Sequence, residues 1–435
     1  MGVLETIRPS LESLVDQVIQ IVRDKVAEVP ASSERVWRIV TTGGERRPTL
    51  ERETHRDYDL FLVNRPEHFH DLPAFTTIQQ KVDSDETLRK AFLIPQGRQV
   101  TKDDISLRYL LPVMNEILSQ MDSGKSQQAA TTAALNRLDE YLSSETCKAR
   151  VIAPLLNFTS EKTNCEILHG AYLRQFSDQD LQDHCGAAHL SPDFSYLHKL
   201  SAIQFHLETT FTQQRKAGFD GSSGGEYQKL LDDVLTALRL LQAGAVGFAF
   251  MKYEVEDLFG KTMSWTMGYG GQVNLFGPSY HFRDSDLDRL RTIVQSLDHV
   301  VKHPRFAIAM NRLMGAYVKP FGGDRLIDYW IALESLMIAD GMTELMFRVS
   351  LRTARLVAHP LDRRKAYDFL RKSYGERSKF VHGSKAAVDG QIVFTTEDYL
   401  REVLLHCVSN RKVPSAPELD SLLLEADKPQ GDPKP

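Results

Sequence analysis

The sequence predicts an α+β protein, with a mixed α/β N-terminal region followed by a C-terminal all-α helical bundle. Apolar residues recur at helical spacing near the N-terminus and again over the last quarter of the chain. Runs of strand length lie between these two parts. The 435 residues, of which 42% are hydrophobic and 26% charged, are enough to build two or three cores.

Residues 1–125 are predicted to form a mostly helical domain. Over residues 11–26 the apolar side chains fall on one side, as in an amphipathic helix, and helical patterns recur over residues 105–121 and 129–142. The polar stretch 122–128 separates the last two patterns. We therefore expect a domain boundary near that stretch, whereas the sequence of this domain indicates no particular function.

Residues 150–300 are predicted to form a mixed α+β region. The strand-like runs are residues 151–158, 165–176, 202–211 and 245–255, and the helical patterns are residues 227–241 and 284–301. The glycine-rich stretch 218–225 lacks the Gly-Lys-Ser/Thr signature of a phosphate-binding loop and is predicted to be a flexible loop. Residues 414–435 are rich in proline and charge, which is typical of a disordered tail.

The C-terminal helical domain is predicted over residues 305–412. Residues 362–381 form a helical pattern that ends before Gly383, a residue type common at helix C-caps. His382 would then lie at the helix C-terminus, where the negative end of the helix dipole favours the imidazolium. A proton donor or acceptor in that position suits acid–base chemistry near neutral pH.

A second helix of this domain is predicted over residues 324–338, which are apolar on almost all sides, with Asp324 as the N-cap. Asp328 and Glu334 interrupt its apolar surface. Buried carboxylates usually have cationic partners, and the candidates are Arg352, Arg355 and Arg377. A structural ion pair is one interpretation, and orientation of a catalytic arginine is the other.

Arg377 precedes His382 by five residues, and a fixed cation beside an imidazole can cleave RNA without a metal. The same spacing occurs at Arg65–His70 and Arg401–His406. The first copy lies in a polar stretch with a proline, where a loop is expected. The second lies in an apolar helical stretch, where packing explains both residues. In a regular helix, residues five apart point about 140° away from each other. A second chain or a frayed last turn would therefore be needed to join Arg377 and His382.

Three segments of this domain, in their order, resemble an Apea-like HEPN domain. They are Leu326-Ile327-Asp328, Ala332-Leu333-Glu334 and Tyr374-x-x-Arg377-Ser378-Lys379-x-Val381-His382-Gly383. The resemblance covers residues 305–409, roughly a quarter of the chain. It implies a helical bundle and a pairing of domains that brings two Arg-x4-6-His motifs together. Active members of this family are metal-independent endoribonucleases, many of them in toxin, antiviral or abortive-infection systems, so the resemblance implies a bacterial defence, toxin or stress context.

By this resemblance, Arg377 would stabilise the phosphate and His382 would be the acid–base group. The supporting residues would be Glu334, Asp328, Tyr374 and Ser378. Ser378 departs from the family pattern, because many members carry Asn, Asp or His directly after the arginine. The reaction implied is transesterification by the ribose 2′-hydroxyl, which leaves a 2′,3′-cyclic phosphate and a 5′-hydroxyl and does not cut DNA. No metal or cofactor is expected.

The charge of the C-terminal domain favours an anionic partner. Residues 301–412 contain 19 Lys and Arg and 12 Asp and Glu, a net charge of +7, whereas the whole chain carries −5. The predicted RNA-binding residues, on or near one helix, are Arg363, Arg364, Arg371, Lys372 and Lys379. A solvated basic face is the alternative.

Composition argues against several other classes of protein. There is no run of about 18 apolar residues, and charges interrupt residues 1–23, so neither a membrane span nor a secretory signal is predicted and a cytoplasmic protein is expected. The four cysteines are scattered without CxxC pairs, which argues against a disulfide framework or a zinc cage. The His184, Cys185 and His189 cluster and the His68 and His70 pair are more typical of structural residues than of metal ligands.

The sequence thus predicts an endoribonuclease whose partners are RNA, a second copy of the chain in a homodimer, and a regulatory partner for the N-terminal region. The alternative is a non-catalytic RNA-binding or dimerisation module built on the same bundle, with Arg377 and His382 structural. The two hypotheses differ in whether replacing His382 abolishes cleavage while leaving RNA binding intact. A transcriptional regulator is not favoured, because no helix-turn-helix with a basic recognition helix stands out.

Overall fold

The computed structural model describes residues 2–42, 45–65, 67–94, 98–177, 180, 204–215, 225–256, 258–260, 262–268, 279–338 and 344–424. Over this part of the chain the fold is α+β, as predicted, with an antiparallel sheet in the middle of the sequence and helices on both sides of it. None of the described helices is both long and apolar enough to cross a membrane.

The N-terminal domain is built from helices around α1. The helices are α1 (Arg8–Asp24), α2 (Tyr58–Val63), α3 (Glu67–His70), α4 (Pro73–Ser84), α5 (Glu86–Ala91), α6 (Lys102–Ile105), α7 (Leu111–Asp122) and α8 (Gln127–Ser143). A hairpin of β1 (Ala31–Thr42) and β2 (Glu45–Arg56) follows α1. The predicted amphipathic helix is confirmed, because the apolar side of α1 is buried in the core: Leu11, Leu14, Val15, Val18, Ile19 and Val22.

The boundary of the N-terminal domain lies later than predicted. Leu135 and Leu138 of α8 are buried in the same core as α1, and α8 packs on α7. Within the polar stretch 122–128, residues 123–126 are therefore a turn between two helices of one domain, with Gly124 in the left-handed region at φ +94°. The change of core comes after α8, because Ala149 already belongs to the second core.

The middle region forms the central sheet. Its strands and a neighbouring parallel pair are β3 (Thr146–Leu156), β4 (Phe158–Ser160), β5 (Asn164–Leu168), β6 (Ala171–Gln175), β7 (Phe205–Gln214), β8 (Gly247–Phe248), β9 (Phe250–Glu256), β10 (Thr262–Gly268) and β11 (Tyr280–Phe282). The order in the sheet is β10-β9-β3-β7-β6-β5, with β8 beside β3, and β4 pairs with β11. Each predicted strand region thus contains an observed strand. Most of the predicted glycine-rich loop lies outside the described residues.

Two helices pack on one face of this sheet. They are α9 (Gly225–Leu241) and α10 (Leu287–Leu297), close to the predicted helices. Side chains alternate across a strand, so Val151, Ala153 and Leu155 of β3 enter the core under these helices. The alternate residues of β3, Arg150 among them, project from the other face of the sheet.

The C-terminal helices surround α12. They are α11 (Pro304–Ala316), α12 (Gly322–Met337), α13 (Leu345–Val357), α14 (Arg363–Val381), α15 (Gly390–Ser409) and α16 (Ala416–Leu424). The α12 helix contacts α11, α13, α14 and α15, and Tyr329 and Trp330 in it are fully buried. These helices share one hydrophobic core with the sheet region, although the sequence suggested separate domains. The buried helix begins at Gly322, so Asp324 is not its N-cap but lies in the first turn. A carboxylate there interacts favourably with the positive end of the helix dipole.

The tail prediction is wrong for residues 416–424, which form α16. Leu419 is fully buried against the domain, and Asp420 pairs with Arg352 at 2.5 Å. Arg352 is itself fully buried and also donates to the Met337 carbonyl at 2.6 Å. A helix this short is marginal on its own, so this tertiary contact stabilises α16. Residues 425–435 lie outside the described part of the chain.

Candidate functional site

The α14 helix ends as the sequence predicted. Gly383 has φ +70°, and its N–H donates to the Phe380 carbonyl at 3.1 Å, while the Ser384 N–H donates to the Lys379 carbonyl at 2.9 Å. These two bonds form a Schellman motif. They place His382 at the C-cap of α14, where its side chain is exposed. Among the described residues, no group hydrogen-bonds to or ion-pairs with this imidazole.

A close approach between helices fixes the end of α14. Gly323, in the first turn of α12, lies under the ring of Phe380, and a Cβ on Gly323 would be 2.3 Å from Phe380 Cζ. Only a glycine admits the ring at this distance. The N-terminus of α12 therefore holds the last turn of α14, next to His382.

Arg377 lies on the inner side of α14. Its Nη1 is 3.8 Å from Glu334 Oε1 on α12, and both side chains are about one-fifth exposed. Its guanidinium lies 5.2 Å from the ring centre of Tyr374, and the rings of Tyr374 and Trp330 are perpendicular, with their centres 4.9 Å apart. Burial raises the pKa of Glu334, and Arg377 only partly opposes this. Tyr374 and Glu334 thus orient the Arg377 guanidinium. Arg377 was one of the three arginines predicted as partners of the buried carboxylates.

One chain does not bring Arg377 and His382 together. In a helix with 100° per residue, Arg377 projects with the buried Leu370 and Ser373, and His382 projects about 140° away from it. No hydrogen bond or ion pair joins the two side chains within the described residues. The sequence-based expectation that a second chain or a frayed turn is required therefore still applies, and the regular Schellman cap shows no frayed turn.

Four of the five predicted RNA-binding residues fall on the face that carries His382. In helical projection Arg364, Arg371, Lys372 and Lys379 lie within about 80° of His382, and all four are exposed. We call these five residues the basic stripe. Arg364 pairs with Asp368 at 2.8 Å and Lys379 with Glu376 at 3.0 Å. Arg371 and Lys372 make no ion pair with a described residue. Arg363 is half-buried on the inner side and does not belong to the stripe.

Asp328 does not belong to the site. Its carboxylate pairs with Arg312 at 3.1 Å and Lys319 at 2.5 Å, and not with any of the three arginines that the sequence suggested. Because these partners come from α11 and the loop behind it, the sequence order could not reveal them. Of the other supporting residues, Tyr374 lies beside Arg377, and Ser378 is half-buried one residue further along.

The two other Arg-x4-His copies have structural roles in the fold. Arg65 pairs with Glu28, and His70 shares a hydrogen bond with Ser106 Oγ at 2.9 Å. Arg401 is 8% exposed and bonds to Asp398. Context rather than spacing therefore identified the copy at an exposed helix end.

A buried polar centre that the sequence analysis missed lies behind the site. Glu397 of α15 is 1% exposed and accepts hydrogen bonds from the hydroxyls of Tyr317 and Tyr329, both at 2.7 Å, and from Arg325 at 3.2 Å. Burial raises the pKa of both tyrosines well above its ordinary value, so each stays a proton donor. The Glu397 carboxylate thus joins α11, α12 and α15. The sequence signal that could have revealed this centre is an acidic residue, Glu397, inside an apolar helical stretch.

No group of three or more potential metal ligands occurs in the part of the chain that the structure describes. His184, Cys185 and His189 lie outside it. His68 Nε2 lies 2.8 Å from Lys25 Nζ, which agrees with a structural use of that histidine. Searches against protein families, curated proteins and solved structures found no match for this chain.

Proposed function

We propose that the chain is a metal-independent endoribonuclease in which His382 is the acid–base group. One observation carries the proposal: His382 is exposed on the same face of α14 as Arg371 and Lys372. An RNA backbone held by these cations passes the imidazole. The imidazole accepts the proton of a ribose 2′-hydroxyl or donates one to the leaving 5′-oxygen, and a 2′,3′-cyclic phosphate forms.

Arg377 of a second copy completes the site. Tyr374, Ser378 and Val381 project between the directions of Arg377 and His382, and Val381 is 53% exposed. A second copy docked on this strip has His382 at one edge of the interface and Arg377 at the other. When the two α14 helices run parallel about a twofold axis, the His382 edge of one chain meets the Arg377 edge of its partner.

In this arrangement Arg377 stabilises the charge that develops on the phosphate. Its Nε is buried, but the contact of Nη1 with Glu334 Oε1, at 3.8 Å, is longer than a hydrogen bond. The Nη groups of the guanidinium can therefore still donate to a phosphate. Arginine suits this role, because its planar guanidinium can form two parallel hydrogen bonds to phosphate oxygens. Glu334 and Tyr374 act through Arg377 and are positioning residues.

The test is cleavage of labelled single-stranded RNA in EDTA by the wild type and by His382→Ala, with the product ends mapped chemically. Cleavage by the wild type alone, leaving cyclic phosphates, is expected. RNA binding by both proteins is measured in parallel, because His382 is exposed and its loss leaves the basic stripe otherwise intact. Equal cleavage by both proteins would remove His382 from the reaction.

The second candidate function is a non-catalytic RNA-binding or dimerisation module. It is favoured by the ion pair between Arg377 and Glu334, which is sufficient to explain the arginine structurally. In that case neither protein cleaves RNA, while both bind it with the same affinity. The same experiment therefore separates the two functions.

A further inference from the structure

The face of the central sheet opposite α9 and α10 is charged and largely buried. Glu208 of β7 and Glu254 of β9 are each 3% exposed, and Lys252 is 6% exposed. Arg150 of β3 lies between them, and Arg174 of β6 lies beyond Glu208. Charges are rarely buried without partners, so the partners determine what this face can do.

Each buried carboxylate has its own cation. Lys252 pairs with Glu254 at 2.5 Å, and Arg174 pairs with Glu208 at 3.3 Å. Burial acts to raise the pKa of both glutamates, but these cations, together with His206 and Arg150, lower it below the ordinary value. Both carboxylates are thus ionised, and Lys252 and Arg174 balance their two negative charges. Arg150 is the surplus positive charge.

Arg150 is also the member of this network that reaches open space. Its Nε donates to Glu254, its Nη1 lies 3.8 Å from Glu208, and its side chain is 38% exposed. It lines a cleft of about 460 Å³ over β7, β3 and β9. Two buried carboxylates therefore hold the guanidinium in one orientation while its remaining N–H groups stay available, which reduces the entropy lost on binding an anion.

The other groups at the cleft increase its positive charge and add donors. Lys148 projects from β3 two residues before Arg150, is exposed and makes no ion pair with a described residue. Two acidic residues line the cleft: Glu254 pairs with Lys252 and Arg150, and Glu256 pairs with Arg137 of α8 at 3.3 Å. Thr210 and Thr212 of β7 line the cleft with exposed hydroxyls. The surplus positive charge at Arg150, the unpaired Lys148 and two hydroxyl donors match a dianion with several acceptor oxygens.

We propose that this cleft binds a small molecule carrying a phosphate monoester, with the phosphate on Arg150 and Lys148. A second cleft of about 350 Å³ adjoins the first and shares Lys148, Thr212 and Glu256 with it. The space is therefore larger than a phosphate ion, and the organic part of the ligand extends along the sheet towards α8. The volume of the first cleft alone is within the range of small-molecule sites.

The experiment is isothermal titration calorimetry on the full chain at constant ionic strength, with AMP, inorganic phosphate and adenosine as probes. Saturable binding of AMP is expected, with weaker binding of phosphate and none of adenosine. Lys148→Gln and Arg150→Gln should each weaken AMP binding by roughly tenfold or more, because each removes a charge-assisted contact. Lys302→Gln, an exposed lysine in the loop after α10, is the matched control and should bind as the wild type does.

Three results would overturn the proposal: no saturable binding of AMP or phosphate by the wild type, adenosine binding as tightly as AMP, or unchanged affinity in Lys148→Gln. Arg150→Gln leaves two buried carboxylates with one cation fewer, and the variant could fail to fold. Its thermal unfolding is measured first, and if it is unfolded, Lys148→Gln decides alone, since that side chain is exposed. RNA cleavage does not enter this test, so its outcome is independent of the proposed nuclease.

Discussion

Arg377 Nη1 lies 3.8 Å from Glu334 Oε1, which joins the last turns of α14 and α12 by an ion pair without a hydrogen bond. Neither Arg377 Nε nor Glu334 Oε1 has a hydrogen-bond partner among the described residues. The arginine is therefore oriented by the pair but not saturated by it. An arginine that makes no hydrogen bond to its carboxylate partner keeps N–H groups for a phosphate, as the proposed role of Arg377 requires.

A composite site predicts rescue on mixing two inactive variants. Arg377→Ala and His382→Ala should each be inactive alone, whereas an equimolar mixture, refolded together, should recover about a quarter of the wild-type rate. Half of the dimers are then mixed, and each mixed dimer has one complete site of two. The measurement is the initial rate of RNA cleavage. Continued inactivity of the mixture, with dimers shown by light scattering, would place both groups in one chain or exclude the reaction.

The basic stripe predicts a defined salt dependence of RNA binding. The double variant Arg371→Gln, Lys372→Gln should bind single-stranded RNA more weakly, and the slope of log K against log salt should fall by about 1.4, since each phosphate contact contributes about 0.7. Filter binding at four salt concentrations measures this. Lys302→Gln removes one positive charge elsewhere on the surface and should leave the slope unchanged. An unchanged slope in the double variant would mean that RNA binds another face.

The raised pKa of Glu334 predicts a pH dependence of stability. A carboxyl group whose pKa is higher in the folded state stabilises the fold below its unfolded pKa, and this contribution is lost as pH rises through the folded pKa. Relative to Glu334→Gln, the wild type should therefore become less stable as pH rises from about 4.3, the ordinary glutamate value, towards neutrality. Urea unfolding of both proteins across this range is the measurement.

An Arg377→Gln background supplies the control for this effect. Arg377 opposes the rise in the Glu334 pKa, so its removal should raise that pKa further and shift the loss of stability to higher pH. A pH dependence that is the same with and without Arg377 would show that the two side chains are not coupled in solution.

Two glycines of the α14 region should respond to alanine in opposite directions. Gly383→Ala places a Cβ at φ +70° and should cost about 1–2 kcal/mol. Gly375 lies within the helix, and a Cβ there meets nothing within 4 Å, so Gly375→Ala should stabilise the protein by about 0.5–1 kcal/mol. Chemical denaturation measures both. Equal effects would contradict the left-handed cap beside His382.

Removal of the Glu397 carboxylate should destabilise the C-terminal helices strongly. Glu397→Ala leaves Arg325 and two tyrosine hydroxyls without their buried acceptor, which costs about 3–5 kcal/mol. Glu402→Ala, at an exposed position of the same helix, should change stability by no more than about 0.5 kcal/mol. A small effect of Glu397→Ala would mean that water satisfies these groups.

Local sequence patterns accounted for much of the secondary structure. The apolar side of α1, the extent of α14 and the cap at Gly383 follow from periodicity and from the backbone preference of glycine, which act within a few residues. The α16 helix was missed because a helix of nine residues is marginal on its own and depends on tertiary contacts, here between Arg352 and Asp420. The assignment of α8 to the N-terminal core likewise depended on packing.

For the site, the sequence alone determined which residue types stand on α14 and that Arg377 and His382 diverge from each other, because helix geometry fixes their angle. Only the tertiary structure decided the partners: Glu334 for Arg377, Arg312 and Lys319 for Asp328, and two tyrosines for Glu397. Ion pairs and buried hydrogen bonds join residues distant in the chain, and their choice depends on which helices pack together.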